Sequence, residues 1–211
     1  TPVISTNAPS KGNHRFGSSG RLVSPLEIKI LDDEGRELPR GQKGEIVIKG
    51  ENVMAGYWKN PQSTADTVRD GWLHTGDLAR RDANGYYKIT GRIKDMIIRG
   101  GENIYPKEIE EFIYTHPGVR DVQVIGVPDK RYGEESMACI ILKEPGSMTV
   151  EEMTSYIKAS MARHKVPRYI EFVDSFPMNA AGKILKYKMR QDFAQKLGLT
   201  GDGADTAGPG K

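Results

Sequence analysis

The sequence predicts an α+β fold in two parts, a β-rich subdomain followed by a small α+β domain in which helices flank a short sheet. Short alternating segments between turn residues fill the first part, and helical patterns alternate with apolar runs in the second. Because the composition shifts near residues 91–94, we expect a first domain over residues 1–93 and a second over residues 94–200. Residues 201–211 contain four Gly and no large apolar side chain, and we expect a disordered tail there.

The first part is predicted to consist of strands, with no long helix. Residues 26–30 alternate apolar and polar side chains, as a half-buried strand does, and residues 45–49 form a second strand. Turn residues at 82–85 precede a third strand over residues 86–90, which are rich in β-formers. Residues 1–20 combine Pro, Gly, Ser, Asn and Thr with little periodicity, so we expect a loop.

The second part is predicted to alternate helices and strands. Pro106 suits the first turn of a helix, where its missing N–H costs nothing, and Pro117 ends that helix. Thr149 and Glu152 have the spacing of a capping box at the start of another helix. One face of that helix is formed by Met153, Tyr156, Ile157 and Met161. The remaining predicted elements are strands over 119–127, 136–142 and 170–173 and a helix over 186–197.

Charge and composition exclude several classes of protein. The 211 residues include 31 basic and 28 acidic side chains, a net charge of +3, so a polycation that binds nucleic acid is not expected. Residues 163–190 carry seven basic and two acidic residues, which is typical of a solvated face or a polyanion-binding surface. The single cysteine, Cys139, excludes an internal disulfide framework, and the four His are too scattered for a metal site. No apolar run reaches about 18 residues, the length that a membrane-spanning helix needs. We therefore expect the cytoplasm as the default location.

Three segments contain residues suited to bind a polar ligand. Asp77, beside a Gly, can accept two hydrogen bonds from a vicinal diol such as a ribose, or it can cap a turn. Arg92 offers a planar fork to oxygen acceptors, and Gly100 and Gly101 let a ligand approach the backbone closely. Lys183 stands on a loop of small residues, from which its ammonium can reach a site built elsewhere. Taken singly, each residue also fits an ordinary turn or a solvated surface.

Five motifs follow one another over residues 44–183. They are Gly-Glu-Ile-Val-Ile-Lys-Gly at 44–50, Gly-Tyr-Trp-Lys-Asn-Pro at 56–61, Gly-Trp-Leu-His-Thr-Gly-Asp at 71–77, Gly-Arg-Ile-Lys-Asp at 91–95 with Gly-Gly-Glu-Asn-Ile-Tyr-Pro at 100–106, and Pro-Met-Asn-Ala-Ala-Gly-Lys at 177–183. In order and spacing they resemble the adenylate-forming family of acyl-CoA synthetases, 4-coumarate-CoA ligases, luciferases and peptide-synthetase adenylation domains. Residues 21–197 fall within the resemblance.

The resemblance implies a two-step reaction. ATP and a carboxylic acid give an acyl-adenylate and pyrophosphate, and a thiol then displaces AMP. By this resemblance Asp77 and Arg92 bind the ribose of ATP and AMP, Lys94 is the hinge between a large and a small domain, and Lys183 stabilises the charge that develops during adenylation.

The thiol step is implied for a further group of residues. Gly100, Gly101 and Glu102 match the segment that lies beside the pantetheine arm of CoA, where a thin backbone is needed. Lys165 and its basic neighbours are candidates to meet the CoA phosphates.

The departures from the family pattern define what we expect of the chain. Residues 1–93 match the C-terminal part of an AMP-binding large domain, and residues 94–200 match the small lid domain. The Ser/Thr/Gly-rich phosphate loop and the Tyr-Gly-x-Thr-Glu motif, with its Mg²⁺-linked Glu, are absent. We therefore expect the C-terminal portion of an acyl-CoA synthetase, inactive alone, with the magnesium ligand upstream.

The expected partners are a fatty or aryl carboxylic acid, ATP and CoA, without nucleic acid. Two alternatives stay open, an adenylating enzyme that loads a carrier protein and a non-catalytic basic binding module.

Overall fold

The computed structural model describes residues 5–7 and 15–199. The tail predicted over 201–211 and much of the loop predicted over 1–20 lie outside these residues. The chain forms two compact units that divide between Lys94 and Asp95. Within the described residues, the first unit contains a seven-stranded sheet and the second a five-stranded sheet with three α-helices. The predicted α+β class is therefore confirmed.

The sheet of the first unit is antiparallel throughout. Its strands are β1 (Ser5–Thr6), β2 (Gly20–Leu22), β3 (Glu27–Leu31), β4 (Lys43–Lys49), β5 (Val68–Arg69), β6 (Trp72–Arg81) and β7 (Tyr86–Arg92). The order across the sheet is β1-β2-β7-β6-β4-β3, and β5 pairs with β6. The three predicted strands correspond to β3, β4 and β7, so these predictions are confirmed.

Apolar side chains at alternate positions build the core of this unit. Ile30, Ile46, Ala79 and Tyr87 are buried together, each on a different strand. Full burial of one isoleucine side chain contributes about 1.5–3 kcal/mol, so the alternation fixes which face of each strand points inward. The resulting rigid sheet carries the first candidate site.

The first unit differs from the sequence prediction in several features, since β2, β5 and β6 were not predicted as strands. Ser5–Thr6 lies in the predicted loop but forms a strand that pairs with Arg21 and Leu22 of β2. Local composition does not predict this strand, because its hydrogen bonds depend on the partner strand. The short helix α1 (Pro61–Thr67) was not predicted, although Asn60 caps it by accepting a hydrogen bond from Ser63 N and Pro61 opens it.

The second unit begins with a small hairpin and continues as a helix-flanked sheet. Its strands are β8 (Ile97–Arg99), β9 (Glu102–Ile104), β10 (Val119–Asp129), β11 (Gly133–Leu142) and β12 (Tyr169–Phe172). Its helices are α2 (Pro106–Ile113), α3 (Val150–Lys158) and α4 (Lys186–Lys196). Short 3₁₀ turns cover Ile93–Asp95, at the boundary of the units, and Arg163–Lys165. The strand order is β10-β11-β8-β9, and β12 pairs with β11 in parallel.

Strand β11 is buried on both faces, which explains its unbroken apolar run. Ala138 and Ile140 pack in one cluster with residues of α2 and α3, whereas Met137 and Cys139 pack in another with Met189 of α4. This period of two places helices on both sides of the sheet. The predicted helices at 106, 149 and 186 and the predicted strands over 119–127, 136–142 and 170–173 are confirmed.

Local details sharpen these predictions. The predicted capping box forms, since Thr149 N donates to Glu152 Oε2 at 2.8 Å and Glu152 N donates to Thr149 Oγ1 at 3.2 Å. Helix α3 ends at Lys158, so Met161 lies beyond the helix and packs against the same cluster from the following turn. The hairpin of β8 and β9 was not predicted.

Candidate functional site

Asp77 and Arg92 face each other across two neighbouring strands. Asp77 of β6 is the register partner of Arg92 of β7, and Arg92 Nε donates to Asp77 Oδ1 at 2.8 Å. The Asp77 side chain is 28% exposed and the Arg92 side chain 46%. In the part of the chain that the structure describes, Asp77 Oδ2 receives no hydrogen bond. The pair therefore presents a carboxylate oxygen and guanidinium nitrogens to solvent, and Asp77 lies within a strand instead of capping a turn.

A bulge in β6 sets the position of Asp77. Val47 of β4 pairs with His74 and Glu45 pairs with Leu78, so Thr75, Gly76 and Asp77 lie opposite the single residue Ile46. Gly76 adopts a φ of 69°, a left-handed conformation in which a side chain would be strained.

Four polar contacts hold this bulge in place. Glu45 Oε1 accepts from Gly76 N at 3.0 Å, and Glu45 Oε2 lies 2.8 Å from His74 Nδ1. Thr75 Oγ1 donates to Ile46 O at 2.7 Å and accepts from Asp77 N at 3.0 Å. Two backbone N–H groups within the bulge, those of Gly76 and Asp77, are therefore satisfied by side chains.

A cavity of about 360 Å³ opens beside this bulge in the first unit. Its lining residues are Thr75, Gly76, Arg92, Ile93 and Lys94. Lys94 belongs to the 3₁₀ turn over Ile93–Asp95 and is exposed. Arg92 is paired with Asp77, and Lys94 adds a further positive charge to the cavity wall, which favours an anionic ligand.

Gly100 and Gly101 form the tip of the β8–β9 hairpin. Arg99 pairs with Glu102, and the two Gly between them have φ values of 58° and 86°. A two-residue hairpin loop with positive φ at both positions favours Gly. Gly100 N donates to Tyr132 O at 2.8 Å, and a Cβ atom on Gly100 would lie 3.1 Å from the Tyr132 ring. The hairpin tip is therefore thin and held against the β10–β11 turn.

The same hairpin borders a second cavity, of about 490 Å³. Its lining residues are Arg99, Gly100, Glu102, Tyr132, Arg163 and His164. The Arg99 guanidinium lies 4.2 Å from the Tyr132 ring centroid, and its Nε is 2.8 Å from Oε2 of the buried Glu135. The hydrogen bond to Glu135 raises the pKa of Arg99, so this guanidinium stays charged beside the cavity.

The turn that carries Tyr132 is itself fixed. Asp129 Oδ1 accepts from Tyr132 N at 2.8 Å and from Arg131 N at 2.9 Å. The backbone hydrogen bond from Tyr132 lowers the pKa of Asp129 below its usual value.

Lys183 occupies an ordered turn between β12 and α4. Asn179 Oδ1 accepts from Ala181 N at 3.0 Å and from Lys183 N at 2.9 Å, while Asn179 N donates to Lys183 O at 3.0 Å. The side chain of Lys183 is exposed, and its ammonium has no hydrogen bond or ion pair with another residue of the described ranges. The backbone of this lysine is thus fixed and its charge is free.

A half-buried ion pair anchors the chain just after this turn. Lys186 Nζ donates to Glu110 Oε1 at 2.6 Å and to Val124 O at 3.1 Å. Glu110 Oε1 also accepts from Val124 N at 2.8 Å, so α4 is tied to α2 and β10 at one point. This anchor fixes the first residue of α4, and with it the C-terminal end of the Lys183 turn.

Two basic residues of the 163–190 stretch are paired with carboxylates within the fold. Lys165 Nζ lies 2.5 Å from Glu108 Oε1, and Lys186 is paired as described above. Lys165 therefore contacts a carboxylate of α2, whereas its neighbours Arg163 and His164 line the larger cavity. Pairing with Glu108 and Glu110 from outside the stretch weakens the interpretation as a polyanion-binding face.

The two units divide the predicted site residues between them. Asp77, Arg92 and Lys94 lie in the first unit, and Gly100, Gly101, Glu102 and Lys183 in the second. Sequence reasoning gave no role to Glu45, His74, Tyr132 or Glu135, since each contacts a site residue or another of these residues that is far away in the chain; Glu45 and His74 are 29 positions apart.

The described residues contain no candidate site for the Mg²⁺ that the resemblance implies. Among residues 5–7 and 15–199, no group of His, Cys, Asp and Glu side chains is arranged to hold a metal ion. None of the helices over the same residues is long and apolar enough to cross a membrane.

Comparisons with known sequences identify the class of protein. The family described as AMP-binding enzyme matches residues 1–58, and the family described as AMP-binding enzyme C-terminal domain matches residues 108–183. The chain belongs to the AMP-binding enzyme family, which is the adenylate-forming family that the motifs resemble.

Individual relatives are consistent with this. The chain is 49% identical over 203 residues to a putative acyl-CoA synthetase, YngI, of Bacillus subtilis (strain 168), covering 95% of the chain and 37% of that protein. It is 46% identical to the mitochondrial medium-chain acyl-CoA ligase ACSF2 of Rattus norvegicus, covering 94% of the chain and 33% of that protein. The chain thus spans about a third of the length of these relatives.

A solved structure shares the fold. The o-succinylbenzoate CoA synthetase of Bacillus subtilis, in complex with its acyl-adenylate intermediate, superposes with a TM-score of 0.76 at 36% identity. The match covers 83% of this chain and 36% of that one.

Proposed function

We propose that this chain is part of an AMP-forming acid–thiol ligase, which activates a carboxylic acid as an acyl-adenylate and transfers the acyl group to CoA. The observation that carries the proposal is the cross-strand pair of Asp77 and Arg92 beside a cavity with a positive wall. Family membership supports the reaction class, and the similar acyl-CoA synthetases support the thiol acceptor.

The pair is suited to hold the ribose of ATP and AMP. A vicinal diol can donate two hydrogen bonds to one carboxylate, and Asp77 Oδ2 is the oxygen that Arg92 Nε leaves available. Arg92 can at the same time donate its remaining N–H groups to hydroxyl oxygens, because its guanidinium is planar and forked. Both strands are paired along their length, so the two groups keep their spacing before the nucleotide arrives.

Lys183 is proposed to act in the adenylation step. A carboxylate oxygen of the acid attacks the α-phosphorus of ATP, the bond to the pyrophosphate oxygen breaks, and negative charge gathers on the phosphoryl oxygens. An ammonium placed beside those oxygens stabilises that charge. An exposed lysine without an ion-pair partner in the described residues is free to supply it.

The β8–β9 hairpin and the larger cavity are proposed to serve the second step. The thiolate of the acceptor attacks the acyl carbonyl carbon, and AMP leaves with the electron pair of the broken acyl–phosphate bond. Gly100 and Gly101 provide a backbone without side chains for a narrow arm to pass. Arg163 offers a positive charge and His164 a ring nitrogen for phosphate groups carried by that arm, whereas the charge of Arg99 is paired with Glu135.

This charge favours CoA over a carrier protein as the acceptor. CoA carries three phosphate groups, whereas a carrier arm carries one and brings its own protein surface. The proposed hinge, Lys94, lies at the division between the two compact units, where a change of backbone angles would reorient one unit against the other.

The experiment that tests the function uses the longer protein that we propose contains this chain. With ATP and a panel of fatty and aryl acids, we expect acid-dependent release of pyrophosphate, and with CoA an equivalent release of AMP and a thioester detectable by mass spectrometry. Pyrophosphate release that no acid stimulates would refute the proposal. Thioester formation on a carrier protein with none on CoA would favour the alternative acceptor.

A second experiment tests the acceptor site. Arg163→Ala is expected to raise the KM for CoA about tenfold and to leave the KM for pantetheine, which lacks phosphate, nearly unchanged, because a charged hydrogen bond contributes about 1.5–3 kcal/mol. Lys158→Ala, at the end of α3 and outside the cavity lining, is the matched control. An equal effect on CoA and pantetheine would exclude phosphate binding by Arg163.

A further inference from the structure

Glu45 has both carboxylate oxygens engaged at the bulge that carries Asp77. One oxygen accepts the N–H of Gly76 at 3.0 Å, and the other lies 2.8 Å from His74 Nδ1. An ionised carboxylate is an acceptor only, so Nδ1 of His74 carries the proton and donates it. The Glu45 side chain is 18% exposed and the His74 side chain 20%, so both contacts are largely shielded from water.

The bulge depends on these contacts because the strand ladder does not hold it. Three residues of β6 oppose one residue of β4, and the Gly76 N–H is therefore satisfied by the Glu45 carboxylate instead of a carbonyl of the neighbouring strand. Gly76 is also in the left-handed region, with a φ of 69°. Without the carboxylate, Gly76 has many other conformations available, and Asp77 is the next residue.

We propose that Glu45, oriented by His74, is a positioning residue that holds the Asp77 carboxylate in the geometry needed to read both ribose hydroxyls. The inference rests on the proposed function, since it assumes that Asp77 binds the ribose. Glu45 acts through the backbone of Gly76 and does not touch the nucleotide. Its loss therefore reduces the preference for ribose over deoxyribose, in addition to any effect on stability.

The test compares ATP with 2′-deoxy-ATP and 3′-deoxy-ATP in acid-dependent pyrophosphate release by the longer protein. The measured quantity is the ratio of kcat/KM for ATP to that for each deoxynucleotide. We expect Glu45→Ala to lower this ratio about tenfold. Glu45→Gln should lower it less, because the amide oxygen can still accept from Gly76 N. Glu27→Ala, which removes an exposed carboxylate from β3 of the same sheet, should leave the ratio unchanged.

Asp77→Ala separates this inference from the proposed function. We expect it to lower the preference more than Glu45→Ala does, with only Arg92 left to contact the hydroxyls, and we expect the double variant Glu45→Ala/Asp77→Ala to lose no more than Asp77→Ala alone, because Glu45 acts through Asp77. If Asp77→Ala keeps the preference, the proposed ribose site is wrong, and the inference with it. If Asp77→Ala lowers the preference while Glu45→Ala lowers only the melting temperature, the ribose site stands and the inference alone is overturned.

A second route covers the case in which Glu45→Ala does not fold. His74→Ala removes the hydrogen bond that orients Glu45 and leaves the carboxylate and Gly76 in place. We expect His74→Ala and Glu45→Gln to lower the ribose preference in folded protein, as judged by an unchanged circular dichroism spectrum. An unchanged preference in both folded variants would overturn the positioning role.

Discussion

The Asp77–Arg92 pair and the Lys183 turn differ in how firmly their charged groups are held. The pair lies inside a sheet, where neighbouring strands fix both charged groups and the partly buried Glu45 holds the bulge that carries Asp77. Lys183 stands on a turn whose backbone is hydrogen-bonded while its ammonium is solvent-exposed. A group that recognises a ligand gains from being held in advance, because little entropy is lost on binding. A group that must meet a developing charge only during one step gains from freedom to move.

The two regions also differ in what stabilises them. The bulge is braced by polar contacts to residues about 30 positions away, whereas the Lys183 turn is closed by Asn179, four positions away. Only the base of that turn is held from a distance, through Lys186 and Glu110. Substitutions in the two regions should therefore separate binding from chemistry.

The largest effect on the reaction rate is expected from substitution of Lys183. Lys183→Ala should slow acyl-adenylate formation by about 100- to 1,000-fold, the loss typical of removing one group that stabilises transition-state charge. Thioester formation from a supplied acyl-adenylate should change only a few-fold. Both half-reactions can be followed separately, by pyrophosphate release and by thioester yield. Lys188→Ala, an exposed lysine on α4, is the control. Equal loss of both half-reactions would contradict the assigned role.

The next effect is expected at the fixed pair. Asp77→Ala should raise the KM for ATP about 10- to 100-fold, because hydrogen bonds to a charged group contribute about 1.5–3 kcal/mol. The melting temperature should change little, since the ion pair with Arg92 is partly exposed. Steady-state kinetics and thermal unfolding measure the two quantities. A large loss of stability with an unchanged KM would show that Asp77 is structural.

Substitution of Lys186, which anchors α4 after the Lys183 turn, is expected to have a moderate effect on stability. Lys186→Met should lower the free energy of unfolding by about 1–3 kcal/mol, because Glu110 and Val124 O lose a charged partner in a half-buried place. Denaturant titration measures the change, and Lys188→Met on the same helix is the matched control. If the two variants unfold alike, the anchor contributes nothing beyond an exposed lysine.

The smallest expected effect is in backbone dynamics. The amide protons of Gly76 and Asp77, held by Glu45 and Thr75 between paired strands, should exchange with solvent about tenfold more slowly than those of Gly182 and Lys183. Hydrogen-exchange mass spectrometry with peptide-level resolution can compare the two segments. Faster exchange in the bulge than in the turn would reverse the comparison drawn above.

Sequence reasoning was most successful where the signal is local. The capping box of Thr149 and Glu152, the helix that opens at Pro106 and the strands β3, β4, β10 and β11 follow from spacing of a few residues. It missed the β8–β9 hairpin, whose strands are three residues long, and the β1 pairing with β2. Such short strands exist only because a partner strand completes their hydrogen bonds.

The sequence by itself determined the α+β class, the order of the motifs and the family to which the chain belongs. Only the tertiary structure decided that Asp77 lies opposite Arg92 and that Glu45 and His74 brace the bulge between them. It also decided that Lys165 and Lys186 are neutralised, while the Lys183 ammonium has no partner among the described residues. The physical reason is that motifs are runs of neighbouring residues, whereas the geometry of a site depends on strand register and on contacts between residues that are far apart in the chain.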